Sequence, residues 1–477
     1  MKKITVFLLS FALLFALCAC SAGGTENTGK GDAAGGFRVG YGRSDITPYE
    51  ESVPLAGYGN TSTRMSDGCA DRLYITCVAF TDGEGETVLM YTADLTSISA
   101  VADDLRAAIS EGTGVPVDHI FVAATHTHSA PDLGNTAHPS LVRYRTRLTD
   151  WAITAGNAAL ADRAPATMEI ASAVTENLNF VRHYYVSDGS VVGENFGVLG
   201  DRTYISHCHD ADGQLQVVRL LREEKEDVVL VNWQSHPTRY GNTTNASADF
   251  ISPLRARMEE KLGCKVAYFS GASGNLNPGS RIPSEMRTQE YDVMGQYLAD
   301  YAIEALQEPT AVNTGDVRVA AKTVTADVDK SEADKLADAL VIRDLWANTN
   351  DLNLCMEEAA KVGLGSQWHA AGIITRNTRL GDTISMEIST FSLGDVAFAI
   401  APYEMFDQNG VQIKEGSPFK MTFISTLCNG GNGYIASLEC ATHGCYGYDS
   451  RSYGSAGVAE ELVTDYLGLL DSLHGGK

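Results

Sequence analysis

The sequence predicts an α/β fold, with mixed β-sheets flanked by helices. Two patterns predict it. Short, wholly apolar runs such as Ile120–Ala124, Val228–Trp233 and Val396–Ala401 read as strands buried on both faces. Stretches with apolar residues at helical spacing separate such runs through the first three hundred residues. A third observation concerns function. Polar residues able to do chemistry follow several apolar runs directly, where ligand groups gather in α/β proteins.

The first residues read as a leader. Lys2 and Lys3 precede Ile4–Leu17, which is almost wholly apolar and too short to span a membrane as a permanent helix. It ends in Leu17-Cys18-Ala19-Cys20. Residues 1–19 resemble a bacterial lipoprotein signal peptide, with Cys20 as the residue lipidated after cleavage. Cys18 is the alternative site, and an ordinary secretory signal is the alternative reading. Either places the mature protein outside the cytoplasm; the lipoprotein reading anchors it to the bacterial cell membrane through acyl chains. Residues 20–36, rich in Gly, Ala, Thr and Asn, form a flexible tether.

Residues 37–477 are expected to hold one large α/β unit or two intimate lobes. Leu73–Phe80 and Thr87–Ala93 read as strands around the turn Asp82-Gly83-Glu84-Gly85. Val101–Glu111 and Leu141–Asp162 read as helices. Gln214–Leu221 and Val228–Trp233 read as strands, Pro253–Leu262 as a helix, Lys265–Phe269 as a short strand and Ser284–Leu306 as a long helix. Beyond them, Asp316–Asp327 alternates like a strand, and Ser331–Asp334 has the pattern of a helix start. Ile384–Leu393 and Val396–Ala401 form a predicted hairpin around Gly394-Asp395. Met421–Leu427 is a further strand, and Val458–Leu473 a closing helix.

The formal net charge of −24 argues against a nucleic-acid partner and against docking on anionic lipid through a basic face. The ten cysteines include no C-x-x-C pair, so they suggest no structural zinc site. Cys440 and Cys445 could pair across a tight loop.

The most informative stretch is Ala124-Thr125-His126-Thr127-His128-Ser129-Ala130-Pro131. It closes an apolar strand that Pro131 stops, and strand alternation points His126 and His128 to the same face. Such a pair serves either as hydrogen-bonded surface histidines or as a metal ligand beside a proton carrier. Three other segments have the same design. His236 closes Val229–Ser235 and precedes Pro237. Glu404 follows an apolar strand and Pro402, as a helix-start charge or a ligand. Tyr434 follows Gly430-Gly431-Asn432-Gly433, whose glycines permit close approach of the backbone.

These residues carry a resemblance. The chain is similar to the amino-terminal catalytic domain of the neutral, non-lysosomal ceramidase family. The matching stretches are Val39–Pro48, Ala56-Gly57-Tyr58, Asp71–Tyr74, the histidine run, Asn232–Thr238, Ser270–Pro278, Pro402–Glu404 and Gly433–Ile435. The resemblance implies one large zinc hydrolase domain, residues 37–477, without the family's carboxy-terminal immunoglobulin-like domain. It implies cleavage of an N-acyl amide in a small molecule or lipid. It places zinc ligands on His126, His236, Glu404 and Tyr434, and a general base on His128. Tyr446 and Arg182, the latter in Asn179-Phe180-Val181-Arg182, would stabilise the oxyanion. Asp249 matches an acidic family position.

The match breaks at Gly274-Asn275-Leu276-Asn277-Pro278, where Asn277 replaces the family's serine and Asn275 its aspartate. An amide forms no acyl-enzyme, so water attacks directly, or Ser273 or Ser270 substitutes, or activity is lost. Asn277 could still donate a hydrogen bond to the substrate carbonyl. Two classes of function follow: a zinc amidohydrolase, or a non-catalytic metal- or ligand-binding surface lipoprotein.

Overall fold

The strands begin where the apolar runs do. In the computed structural model, which describes residues 36–475 except 59–62, 136, 194–200, 280–289, 350 and 444–451, strand β1 (Arg38–Asp45) pairs antiparallel with β2 (Tyr74–Thr81). β2 pairs antiparallel with β3 (Thr87–Ala93), which crosses through helix α1 (Ala102–Thr113) to the parallel strand β4 (Ile120–Ala124). After helix α2 (Pro139–Ala161), strand β5 (Ala164–Val174) returns to the free side of β1. β6 (Gln214–Arg222) and β7 (Val228–Trp233) add antiparallel neighbours, and helix α3 (Ile251–Leu262) leads to β8 (Lys265–Ser270), parallel to β7. The sheet order is β8-β7-β6-β5-β1-β2-β3-β4, with Thr310–Val312 as a ninth strand beside β5. Helix α4 (Tyr291–Ala305) covers part of it; the predicted start of that helix at Ser284 lies outside the described residues.

A second sheet follows. β9 (Val317–Asp327) pairs with β10 (Thr383–Leu393), β10 with β11 (Val396–Ala401), and β11 runs parallel to β12 (Met421–Thr426). Between β9 and β10 the chain inserts three helices, α5 (Leu336–Thr349), α6 (Leu352–Lys361) and α7 (Gln367–Thr378), with a small core of their own. Asp351 caps α6 and Ser366 caps α7. Helix α8 (Asp407–Gly416) joins β11 to β12, and α9 (Val458–Gly475) closes the described chain.

The alternation of side chains builds four layers. Leu89 and Tyr91 of β3 face α1 and α2, whereas Val88 and Met90 face the second sheet. The two sheets meet over Phe121, Phe391 and Phe398; the Phe391 and Phe398 rings stack at 4.3 Å. Truncating one such ring to alanine costs about 3–5 kcal/mol. The far face of the second sheet packs on Ile413 of α8 and Leu462, Tyr466 and Leu470 of α9. Among the described residues no helix is long and apolar enough to cross a membrane. The leader, Cys18, Cys20, Cys445, Tyr446 and the tether up to residue 35 lie outside the described residues.

Candidate metal centre

Three strand ends converge. His126 lies two residues beyond β4, and His236 and Glu404 each lie three residues beyond β7 and β11. The expected continuation of β4 through the histidines does not occur. β4 stops at Ala124, Thr125 N–H and His126 N–H donate to Ala93 O and Leu95 O, and His126 takes a left-handed φ of 70°. A non-glycine residue in that region is uncommon, and functional sites collect such strain. This turn, rather than strand alternation, brings the His126 and His128 rings together with centroids 4.8 Å apart.

Glu404 is neither a helix cap nor a first-turn charge, since α8 begins at Asp407. It sits in a two-residue strand, Glu404–Met405, parallel to Tyr434–Ile435. Its carboxylate Oε2 lies 3.2 Å from His126 Nε2 and 3.3 Å from His236 Nε2. Tyr434 Oη is 3.1 Å from His236 Nε2. Of the four residues predicted as zinc ligands, Glu404 thus reaches both histidines and Tyr434 reaches His236. The Nε2 atoms of His126 and His128 are 3.3 Å apart, and one ligand atom from each of His126, His128 and His236 falls within 4.8 Å of the others. This group could hold a metal ion.

The tautomers follow from what the other ring nitrogens touch. His126 Nδ1 is 2.6 Å from Thr96 O, and His236 Nδ1 is 2.9 Å from Ser273 O and 3.0 Å from Leu276 O. A carbonyl only accepts, so both Nδ1 atoms carry the proton and both Nε2 lone pairs point inward. Yet they point at a carboxylate oxygen. Glu404 Oε2 is buried and has no partner in hydrogen-bond geometry. The nitrogens have donors within reach, Tyr434 O–H for His236 and His128 Nε2–H for His126, but the anionic oxygen has none, and a cation between it and the lone pairs would relieve their repulsion. The residues present fit a metal ion.

Burial pushes the His236 imidazole down to about 4, against the pull of Glu404. Burial, then the neighbouring His126 and His236, hold His128 well below its ordinary value; its ring is enclosed although the residue keeps some exposed surface. For Glu404, burial works to raise the carboxyl, and His126 and His236 hold it well below the usual range only in the state where their Nε2 atoms carry protons. A neutral imidazole at His236 is the state that metal binding requires of a ligand.

The other predicted residues divide. Arg182 stacks its guanidinium 5.1 Å from the Tyr434 ring centroid and donates to Gly274 O, so it borders the centre. Asn277 lies in the short strand Leu276–Pro278, paired with Asn179–Val181, next to the Leu276 carbonyl that holds His236. Asn275 is tied to Asp407, accepting from its N–H and donating to its Oδ1. Asp249 is fully buried, and burial raises its carboxyl to about 7. Its acceptors are taken by Tyr240 N–H and Phe250 N–H, not by an imidazole of the site. Ser270 Oγ donates to Thr125 O, and Ser273 contributes its carbonyl to His236, so both have structural tasks here. Sequence reasoning did not find Thr96, whose contribution is a carbonyl and carries no residue signature. A second concentration of His and Cys went unread too: His183, Cys208, His209, Cys440 and His443 line a small cavity. Among the described residues, only the 126/128/236 group brings three such ligand atoms close enough for a metal.

This arrangement of layers and strand ends has solved counterparts. The chain superposes on the crystal structure of neutral ceramidase from Pseudomonas aeruginosa with a TM-score of 0.69, covering 92% of this chain and 75% of that one at 17% identity. The fold is that of neutral ceramidase. A second structure, a ceramidase complexed with C2, matches with a TM-score of 0.66, 16% identity and the same coverage. No family model matches the chain, and no curated protein is similar to it in sequence. The ceramidase-like fold thus persists where sequence has diverged widely, and the α/β class and mixed sheets expected from the sequence are those observed.

Proposed function

We propose that this chain is a zinc-dependent hydrolase cleaving the amide of an N-acyl compound, either a ceramide-like lipid or a smaller molecule. One observation supports it above the others: a buried carboxylate oxygen of Glu404, without a donor, faces the Nε2 lone pairs of His126 and His236. Two neutral nitrogens, a carboxylate and a phenol oxygen are a donor set that suits zinc, and His126, His236, Glu404 and Tyr434 would hold it. When bound, the ion supplies Lewis acidity, lowering the pKa of a water and polarising the amide carbonyl. His128 is assigned the base because, unlike the buried His126 and His236, its residue keeps some exposed surface, and its near contact is His126, not Glu404. It accepts the proton of the attacking water and returns it to the leaving amine. Arg182 offers positive charge to the carbonyl oxygen as that oxygen becomes anionic. Tyr446 is assigned the same task from the sequence resemblance, and Asn277 is assigned a hydrogen bond to the substrate carbonyl.

The test joins metal analysis of purified protein with a fatty-acid-release screen over N-acyl lipids, simple amides and esters. Stoichiometric zinc, with turnover lost on His126→Ala or His236→Ala, is the expected result. Fully metallated protein that hydrolyses nothing in the screen sinks the hydrolase. One residue favours a second reading. Asn277 stands where the family resemblance expects a serine, so the chain could bind metal or ligand without turnover. Activity abolished by a chelator and restored by zinc disposes of that alternative. We also propose attachment to the bacterial membrane through lipidated Cys20, on the strength of the leader sequence. Mass spectrometry of the mature N-terminus decides it, an unmodified terminus being the contrary result.

A further inference from the structure

Arg64 is an unusual cation. It is 3% exposed and makes no ion pair among the described residues. Its donors go instead to neutral acceptors on three chain segments. Nε donates to Thr243 O at 2.6 Å, Nη1 to Ala56 O at 2.7 Å and to His128 O at 2.8 Å, and Nη2 to Ser129 Oγ at 3.1 Å. The guanidinium also lies 4.8 Å from the centroid of the Tyr58 ring. That ring in turn meets the His128 imidazole edge-on, with centroids 5.5 Å apart and planes at 80°.

Burying a charge without a counter-ion is costly, so a structure that keeps one needs its geometry. Only a planar fork of five donors reaches so many acceptors at once, and a lysine ammonium cannot. The result encloses His128. Arg64 holds its carbonyl, Tyr58 meets its ring, and Gly57 runs so close that a Cβ there would lie 2.5 Å from the His128 Cβ. Its Nε2 lies 3.3 Å from His126 Nε2, with the His236 ring centroid 5.6 Å from its own.

We propose that Arg64 is a positioning residue for His128: a buried guanidinium that fixes the proton-carrying imidazole against the metal centre from behind. The kinetic part of this inference rests on the hydrolase reading, because a displaced base is read out through turnover. A displacement near 1 Å costs about 100-fold in rate. Zinc-loaded full-length Arg64→Lys and Arg64→Ala should therefore keep zinc and KM while kcat falls by about that factor. Millimolar guanidinium should restore part of the rate to Arg64→Ala, and ammonium should not. A merely structural arginine would not give rescue confined to the planar cation.

A second readout needs no turnover. Carbethoxylation of His128, scored by peptide mass spectrometry against His119 as internal reference, should accelerate several-fold in the variants. Unchanged kcat in Arg64→Ala overturns the inference, as does a loss of rate together with zinc that guanidinium does not reverse. If the wild-type protein turns over no substrate, the hydrolase reading falls, and the His128-to-His119 ratio alone decides Arg64: an unchanged ratio overturns it. If Arg64→Ala does not fold, Arg64→Lys carries the same readings.

Discussion

Glu404 and Tyr434 are direct partners in a two-residue parallel β-pair, with Glu404 N–H donating to Gly433 O at 2.8 Å. Backbone pairing thus sets the spacing between two oxygens that approach the same imidazole, His236. Both side chains are buried, which limits the rotamers through which their oxygens reach the site. The pair is preformed, which lowers the ordering cost of binding a cation.

Glu404→Gln keeps the volume and the β-pair but removes the charge. In the metal-free protein it should leave the melting temperature unchanged or raised, because an orphaned buried carboxylate is lost. Zinc at a thousandfold excess over its Kd should stabilise the wild type by about 4 kcal/mol, and the variant by far less. Thermal melts with and without zinc check this. Equal zinc-induced shifts in both proteins contradict the ligand role.

Behind His126 stands a buried ion pair. Arg255 donates to both oxygens of Asp94 at 2.9 and 2.6 Å, and the next two residues, Leu95 and Thr96, supply the carbonyls that hold His126. Asp94→Asn leaves the guanidinium buried and uncompensated, which costs about 3–5 kcal/mol. Denaturant melts should show that loss, and zinc affinity should fall with it as the 94–96 segment shifts. A stability within error of wild type would show the pair to be dispensable.

Asn275 explains one departure from the resembled family. Its amide donates to Asp407 Oδ1 at 2.7 Å and accepts from Asp407 N–H at 2.9 Å, while the flanking Ser273 and Leu276 carbonyls grip His236. Asn275→Asp would set two carboxylates together in a buried site. The folded pKa of the introduced acid would rise above its unfolded value, so stability is lost as pH rises through that interval. The variant should trail wild type by about 1–3 kcal/mol at neutral pH and recover towards acid pH. A gap that does not narrow on acidification argues against the carboxylate clash.

Much of this centre was legible because β4, β7 and β11 each have a parallel neighbour and are buried on both faces. Such strands read as continuous apolar runs, and their ends are visible. His126, His236 and Glu404 sit at those ends, so their candidacy follows from local sequence. Their meeting does not. The left-handed turn at His126 depends on Ala93 and Leu95 carbonyls, and the pairing of Leu276–Pro278 with Asn179–Val181 is a tertiary contact with no local pattern. The three-helix insert was missed beyond its first turn, since its helices are short and its core small. Arg64 was invisible because a lone arginine in a loop reads as solvated.

The insert is nevertheless fastened to the site, and its fastening titrates. Tyr434 also bridges to Ser452, whose carbonyl accepts from the fully buried Arg376 of α7 at 3.0 Å. Arg376 donates in turn to Glu332, which also lies 2.7 Å from His369 Nε2 and 3.0 Å from Lys335 Nζ. Partial burial of Glu332 works to raise its carboxyl, but the contacts with His369 and Lys335 outweigh that and lower it from 4.5 to about 2. A carboxyl whose folded pKa lies below its unfolded one stabilises the fold above the unfolded value and stops doing so as pH falls through the folded value. Glu332→Gln should therefore melt below wild type at neutral pH, with the gap constant down to about pH 5 and closing towards about pH 2. Melting curves across that range check the sign. A gap that widened on acidification would mean that Glu332 is not the anchor of the insert.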